Sequence, residues 1–197
     1  MLENNQRPVS ARKLPLLVEV YGLSYSALPF LGHEHWNRLN SRKAANELAA
    51  LGYAGFSYLR TRRPRWNPAE LLVAALTHDQ LESRVAEALP WLAYTFYDLN
   101  WDWVAREAKV NDVTNRLGFV VTLACELAER KGDGPATNVL RNVEAHLQRS
   151  TLMREQTFCN EGMTSAERRW LQSRKTPEAQ QWNVLSDLCL ENLLAHG

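Results

Sequence analysis

DLNWDWVAREAKVNDVTNRLGFVVTLACELAER, residues 98–130, is the segment from which the architecture follows. Trp101, Val104, Ala105 and Ala108 recur at helical spacing, and a second series runs through Val113, Leu117, Val120, Val121, Ala124, Leu127 and Ala128. Between them Lys109, Asn111 and Asp112 form a polar break, so the spacing predicts two helices joined by a tight turn. Asn111 is placed to cap the second helix, with Asp112 in its first turn where the helix dipole favours an anion. Such a pair builds a core or reads bases. Core is the simpler use, and the acidic charge around it opposes phosphate.

Composition bounds the rest. With 197 residues, 45% of them apolar, the chain can bury one good core or two small ones. It begins with no signal-like pattern and has no apolar run of the roughly 20 residues that cross a bilayer, so a soluble cytoplasmic protein without membrane contact is expected. Cys125, Cys159 and Cys189 are far apart and odd in number, which fits reduced thiols better than a disulfide framework or zinc. The net charge of +1 hides an uneven layout. Residues 1–66 carry ten Lys and Arg against four Asp and Glu, a balance of +6. Residues 67–135 carry six against eleven, or −5, and residues 136–197 seven against seven. A basic front suits nucleic acid, whereas an acidic body suits a basic protein partner, unless the two neutralise each other across an internal interface.

Along the front, residues 1–13 read as a loose arm. Leu14 to Tyr21 predicts a short helix stopped at Gly22, and Ser24 can cap another running toward Phe30. Ser41 caps a helix burying Ala44, Ala45, Leu48 and Leu51, stopped by Gly52 and exposing Arg42, Lys43 and Asn46. Tyr53 to Leu59 is aromatic-rich and alternating, which predicts a strand, and Arg60, Arg62, Arg63 and Arg65 follow as a basic tip. This order of elements over residues 14–66 resembles a winged helix-turn-helix domain. The resemblance implies that Arg42, Lys43 and Asn46 approach DNA and that the four arginines grip phosphate. The alternative is an arginine loop docked on the acidic body.

Residues 67–131 predict an acidic, all-α bundle with a HEAT-like stacking of helices. Asn67-Pro68-Ala69-Glu70 reads as a cap, a first-turn proline and a closing capping box, and Asp79 to Glu82 repeats the logic for a helix burying Val85, Ala88 and Leu89. Pro90 then ends or kinks it. Residues 131–135, Lys-Gly-Asp-Gly-Pro, read as a linker to C-terminal helices over 136–197 that form a hairpin. Those helices are one near 136–148, one capped at Thr164, and a last one from Thr176 carrying Trp182, Leu185, Leu188, Cys189 and Leu193. Ser150 to Met163 reads as an irregular connection. The fold expected is therefore mainly α: a winged-helix front, a helical bundle and a C-terminal helical hairpin.

No catalytic signature, cofactor loop or metal motif stands out. His33-Glu34-His35 lacks both the helical His-Glu-x-x-His spacing and a third ligand, and reads as a solvated loop. Asp98, Asp102, Glu107 and Asp112 read as caps and acidic surface rather than acid/base groups. Seven tryptophans exceed what one small core needs. Trp101 and Trp103 lie about 200° apart on a helix, so one is expected in a second layer or exposed to a partner beside Asp98 and Asp102.

Residues 104–111, Val-Ala-Arg-Glu-Ala-Lys-Val-Asn, resemble the opening of a helix-turn-helix in bacterial regulators. The chain departs from that motif at Lys109, where the turn usually has Gly, and at Asn115, where an apolar residue locks the second helix. The stretches Glu87-Ala88-Leu89-Pro90-Trp91-Leu92 and Asn115-Arg116-Leu117-Gly118-Phe119-Val120 are similar to winged-helix antitoxin and regulator proteins encoded beside abortive-infection nucleotidyltransferase toxins. That resemblance implies a bacterial toxin-antitoxin or phage-defence module in which this chain, not an enzyme, neutralises a neighbour-encoded protein and binds its own promoter. The alternative is a non-catalytic helical scaffold subunit without DNA contact.

Overall fold

The computed structural model describes Ser10 and residues 13–59, 63–160 and 162–196. It is mainly helical. The front holds α1 (Leu14–Val20), α2 (His33–Trp36) and α3 (Ser41–Ala50). The body holds α4 (Pro68–Leu76), α5 (Ser83–Glu87), α6 (Leu89–Thr95), α7 (Trp101–Val110) and α8 (Thr114–Arg130). The tail runs α9 (Gly134–Gln148), β1 (Gln156–Thr157), α10 (Ser165–Gln172), α11 (Pro177–Gln181), β2 (Val184–Leu185) and α12 (Leu190–His196). Among the described residues no helix is long and apolar enough to cross a membrane.

The two helices expected in residues 98–130 are α7 and α8. Every residue of α8 from Thr114 to Cys125 is buried, as befits a helix packed on all sides. Helices α4, α6, α7, α9, α11 and α12 and both strands lie against it. The turn before it differs from the expected one. Asn111 closes α7, donating its Nδ2 proton to Glu107 O at 2.8 Å, and Asp112 adopts φ 55°. Val113 N–H then bonds back to Ala108 O at 2.9 Å. Asp tolerates the left-handed conformation at a helix end, so the polar break stops the first helix rather than capping the second.

Residues 131–135 are no loose linker but the turn of a helical hairpin. Gly132 takes φ 70°, Asp133 N–H bonds to Ala128 O at 2.9 Å, and the Asp133 carboxylate caps α9 at Ala136 N. Helix α9 packs tightly on α8 in consequence. The last predicted helix is broken in two. After α11, Asn183 takes φ 50° and Val184–Leu185 pairs in parallel with Gln156–Thr157. The fully buried Trp182 ring sets the break. It lies flat on Gly118 of α8, where an added Cβ would come within 2.2 Å of its Cε3, and its Nε1 donates to Thr122 Oγ1 at 2.7 Å.

One hydrophobic cluster includes residues from Trp36 in the front, through the body, to Leu193 in α12. All three cysteines are free, Cys125 and Cys159 being buried. In the front, residues 53–59 form a 3-10 turn at Ala54–Phe56 where a strand was expected; the strands among the described residues are β1 and β2. Tyr53 and Phe56, three apart, both point into the core, a spacing that suits a 3-10 turn and defeats the apparent alternation. His33-Glu34-His35 belongs to the short helix α2 rather than to a loop.

Candidate functional site

Polar side chains of the body hold the front in place. Glu70, expected to close a capping box, instead lies fully buried. It accepts hydrogen bonds from Leu31 N (2.7 Å), Gly32 N (2.6 Å) and Trp36 Nε1 (3.0 Å). Asn67 caps α4 as expected through Ala69 N, and its Nδ2 also donates to Ser26 O and Leu28 O at 2.8 and 2.5 Å. A buried carboxylate is tolerated only with such donors around it. The Asp98 carboxylate accepts from Ser26 Oγ at 2.6 Å, and His33 Nε2 stands 3.4 Å from Glu107. The body thus meets the front through backbone amides, a hydroxyl and an imidazole.

Among the described residues no carboxylate of the body pairs with a Lys or Arg of the front. Helix α3 starts from Asn40, whose side chain accepts from Lys43 N at 3.0 Å, so Asn40 takes the cap expected of Ser41. Ser41 Oγ accepts from Glu82 N instead. Ala44, Ala45 and Leu48 face inward, which leaves Arg42, Lys43 and Asn46 on the solvent face. Glu47 of the same helix accepts from Arg65 N at 2.8 Å and Trp66 N at 3.3 Å, and this brings exposed Arg65 beside α3. Burial raises the Glu47 pKa, against the pull of those two amides. Within the front itself Arg63 pairs with Glu19 at 2.6 Å; that bond, with one from the Tyr25 hydroxyl, lowers the Glu19 pKa. Arg38, Arg42, Lys43 and Arg65 form no ion pair among the described residues. Arg60 and Arg62 lie outside the described residues.

The aromatic residues expected to meet a partner are largely engaged within the chain. Trp103 is half-buried, stacked on Phe30 with centroids 4.1 Å apart and edge-on to Trp36 at 6.1 Å. Trp101 donates Nε1 to Tyr97 O at 2.9 Å, and Asp102 is exposed in the first turn of α7. Exposed large apolar side chains lie on the front at Leu16, Val20, Tyr21, Leu23, Phe30 and Tyr58, and elsewhere at Val110, Met153, Trp170 and Leu194.

Between front and body an open groove of about 520 Å³ is lined by His33, Trp36, Asn37, Thr77, His78, Asp79, Gln80 and Asn111. Among the described residues no three His, Cys, Asp or Glu side chains are placed to hold a metal ion. Burial pushes the Cys125 thiol up to about 11 and Cys159 to about 12, so both are protonated at neutral pH. Sequence reasoning missed Glu70, Asn115 and Arg116 as organising groups. The signal was present as polar residues inside apolar series, but polarity by itself does not say whether a side chain faces water or a buried amide. No protein-family model, curated protein or solved structure matches the chain.

Proposed function

We propose that the chain is a binding protein of the antitoxin and operon-regulator kind, whose basic front contacts nucleic-acid phosphate and whose acidic body takes a neighbour-encoded protein. The observation that carries the reading is the solvent face of α3, where Arg42, Lys43 and Asn46 are exposed and Arg65 lies nearby: among the described residues none of the three cations forms an ion pair, although Lys43 Nζ donates to Arg38 O at 2.6 Å and the Glu47 carboxylate feels the charge of Arg65. Cations left unpaired on one face are what phosphate contact requires. In this reading α3 is the helix that meets the groove, as in a winged-helix-like front. In the same reading the acidic body, a HEAT-like stack, offers exposed Asp102 beside the half-buried Trp101 and Trp103 to the partner.

Gel shifts with the promoter-proximal DNA at graded salt test the first half. Binding should weaken with salt, and the slope should fall by about three when Arg42, Lys43 and Arg65 are replaced by Ala, roughly one unit per phosphate contact. No binding at low salt removes the DNA role. Co-expression with the genomic neighbours tests the second half: a retained protein whose toxicity is suppressed supports it, and a chain that purifies alone beside harmless neighbours does not. A scaffold subunit is the second reading, favoured by the single hydrophobic cluster that ties front, body and tail into one unit.

A further inference from the structure

The segment between α9 and α10 contains little regular structure, yet α8 holds it firmly. Asn115, fully buried, accepts from Leu152 N at 2.7 Å and donates to Leu152 O at 2.9 Å. Gln156, also buried, accepts from Arg116 N at 3.3 Å and donates to Asp112 O, while β1 pairs with β2. Fixed in this way, the segment forms the wall of a polar cavity of about 280 Å³ lined by Arg116, Arg154, Glu155, Gln156, Thr157 and Arg168.

Three guanidinium groups thus share a cavity with one carboxylate, which is held chiefly by Lys175 and more loosely by Arg168. Lys175 Nζ lies 2.6 Å from Glu155 Oε1, in hydrogen-bond contact, and the half-exposed Arg168 forms a longer ion pair with Glu155 Oε2 at 3.7 Å. Arg154 is exposed and makes no ion pair among the described residues. Arg116 turns its guanidinium to Leu76 O at 2.8 Å and to Asp79 at 3.3 Å, so it shapes the floor more than it offers charge. Thr157 is only 6% exposed, and its Oγ1 is buried with no hydrogen-bond partner among the described residues. Buried hydroxyls are nearly always bonded, so this one marks a place where a partner belongs.

We propose that the cavity binds a phosphate-type oxyanion, either free phosphate or the phosphate of a small phosphomonoester. Arg154 and Arg168 supply its charge, and rotation of the buried Thr157 hydroxyl toward the cavity supplies a donor. Guanidinium forks match oxyanions bidentately. The volume is several times the roughly 30 Å³ of one water, leaving room for a small esterified group. Because Asn115 and Gln156 fix the backbone beforehand, little ordering opposes binding.

Calorimetric titration of the full chain with inorganic phosphate and, separately, glycerol phosphate tests this, at ionic strength held constant with chloride. Saturable binding to one or both is expected, the tighter of the two identifying the source. Exchanging Arg154 and Arg168 together for Ala should weaken it about tenfold or more while leaving the phosphate-free melting temperature unchanged. Thr157→Val, close in shape, should raise the phosphate-free melting temperature and yet weaken phosphate binding. Replacing Arg42 and Lys43 by Ala should leave phosphate binding intact, which separates this cavity from the α3 face. Absence of saturable binding to either anion overturns the proposal, as does phosphate binding that survives both the double Arg variant and Thr157→Val.

Discussion

The front and the α8 neighbourhood are held by different forces. Around α8, cohesion comes from apolar burial: Leu117, Val120, Val121, Leu123 and Ala124 have no solvent exposure, and their neighbours close in on every side. The front contributes Trp36, Ala44 and Leu48 to the same cluster, but its outer helix α1 leaves Leu16 and Val20 exposed. Directed hydrogen bonds from Glu70, Asn67 and Asp98 position the chain just before α3. Apolar burial is non-directional and additive in area, whereas a buried carboxylate fixes orientation and is costly once its partners are lost. The second kind of force sets geometry without covering the face it positions.

Leu117→Ala removes a fully buried side chain from the middle of the core and should cost about 2 to 5 kcal/mol, read from the denaturant midpoint. Because front, body and tail share one cluster, the whole chain should lose stability in a single transition. A loss below about 1 kcal/mol would mean that α8 is not the packed axis described.

Gly118→Ala addresses the tail's hold on α8. The added methyl would stand 2.2 Å from the Trp182 ring, which must shift and strain its bond to Thr122; overpacking of this kind costs about 1 to 3 kcal/mol. Tryptophan fluorescence should report the displaced ring. An unchanged spectrum with unchanged stability would show that the ring does not rest on that glycine.

Residues 98–130 announced their two helices because α7 and α8 keep one period over long runs, and the helix starts at Asn67, Thr164 and Thr176 were readable because a cap is a local event. The exposed set Arg42, Lys43 and Asn46 followed from the inward spacing of Ala44, Ala45 and Leu48 by the same logic. What escaped the sequence is decided by partners far along the chain. Glu70 looked like a capping group and found its donors 34 to 39 residues away. Asp79, read as a cap, faces Arg116, and α5 begins after Glu82 without a side-chain cap. The polarity of Asn115 was visible, but its partner at Leu152, 37 residues on, was not. The predicted last helix failed because Trp182 gains more by lying on Gly118 than by continuing a helical stripe.

A gentler change sharpens the contrast on the front's side. Glu70→Gln keeps one acceptor but removes the charge that three donors share, and charge-assisted bonds are about twice as strong as neutral ones. We expect a loss of about 1 to 2 kcal/mol, smaller than at Leu117. Hydrogen exchange should rise first at Leu31 and Gly32, with α8 still protected. Equal loss of protection in both regions would mean that the front has no separate opening.

The smallest expected effect lies in the tail, where polar groups meet α8 without the satisfied geometry of Glu70. Glu126 on α8 has its pKa raised to about 7, first by burial and then by Glu178 of α11, which also hydrogen-bonds it, with Glu129 and with Glu144 of α9 adding repulsion. Arg141, bonded to Glu129 at 2.8 Å, faces the same cluster and offsets part of that charge. A carboxyl whose folded pKa exceeds its unfolded value binds a proton more readily when folded. Its stabilising contribution is therefore complete below the ordinary glutamate range near 4.5 and is lost as pH rises through about 7. Partial exposure of Glu126 lets solvent screen the effect, so the change should be modest. Denaturant midpoints of the native chain and Glu126→Gln, compared at pH 5 and pH 8, isolate it. The variant should be the more stable of the two at pH 8 and should lose less stability between the two pH values. If the native chain instead gains on the variant as pH rises, Glu126 is held as a satisfied carboxylate, and the tail is anchored by the same kind of bond as the front.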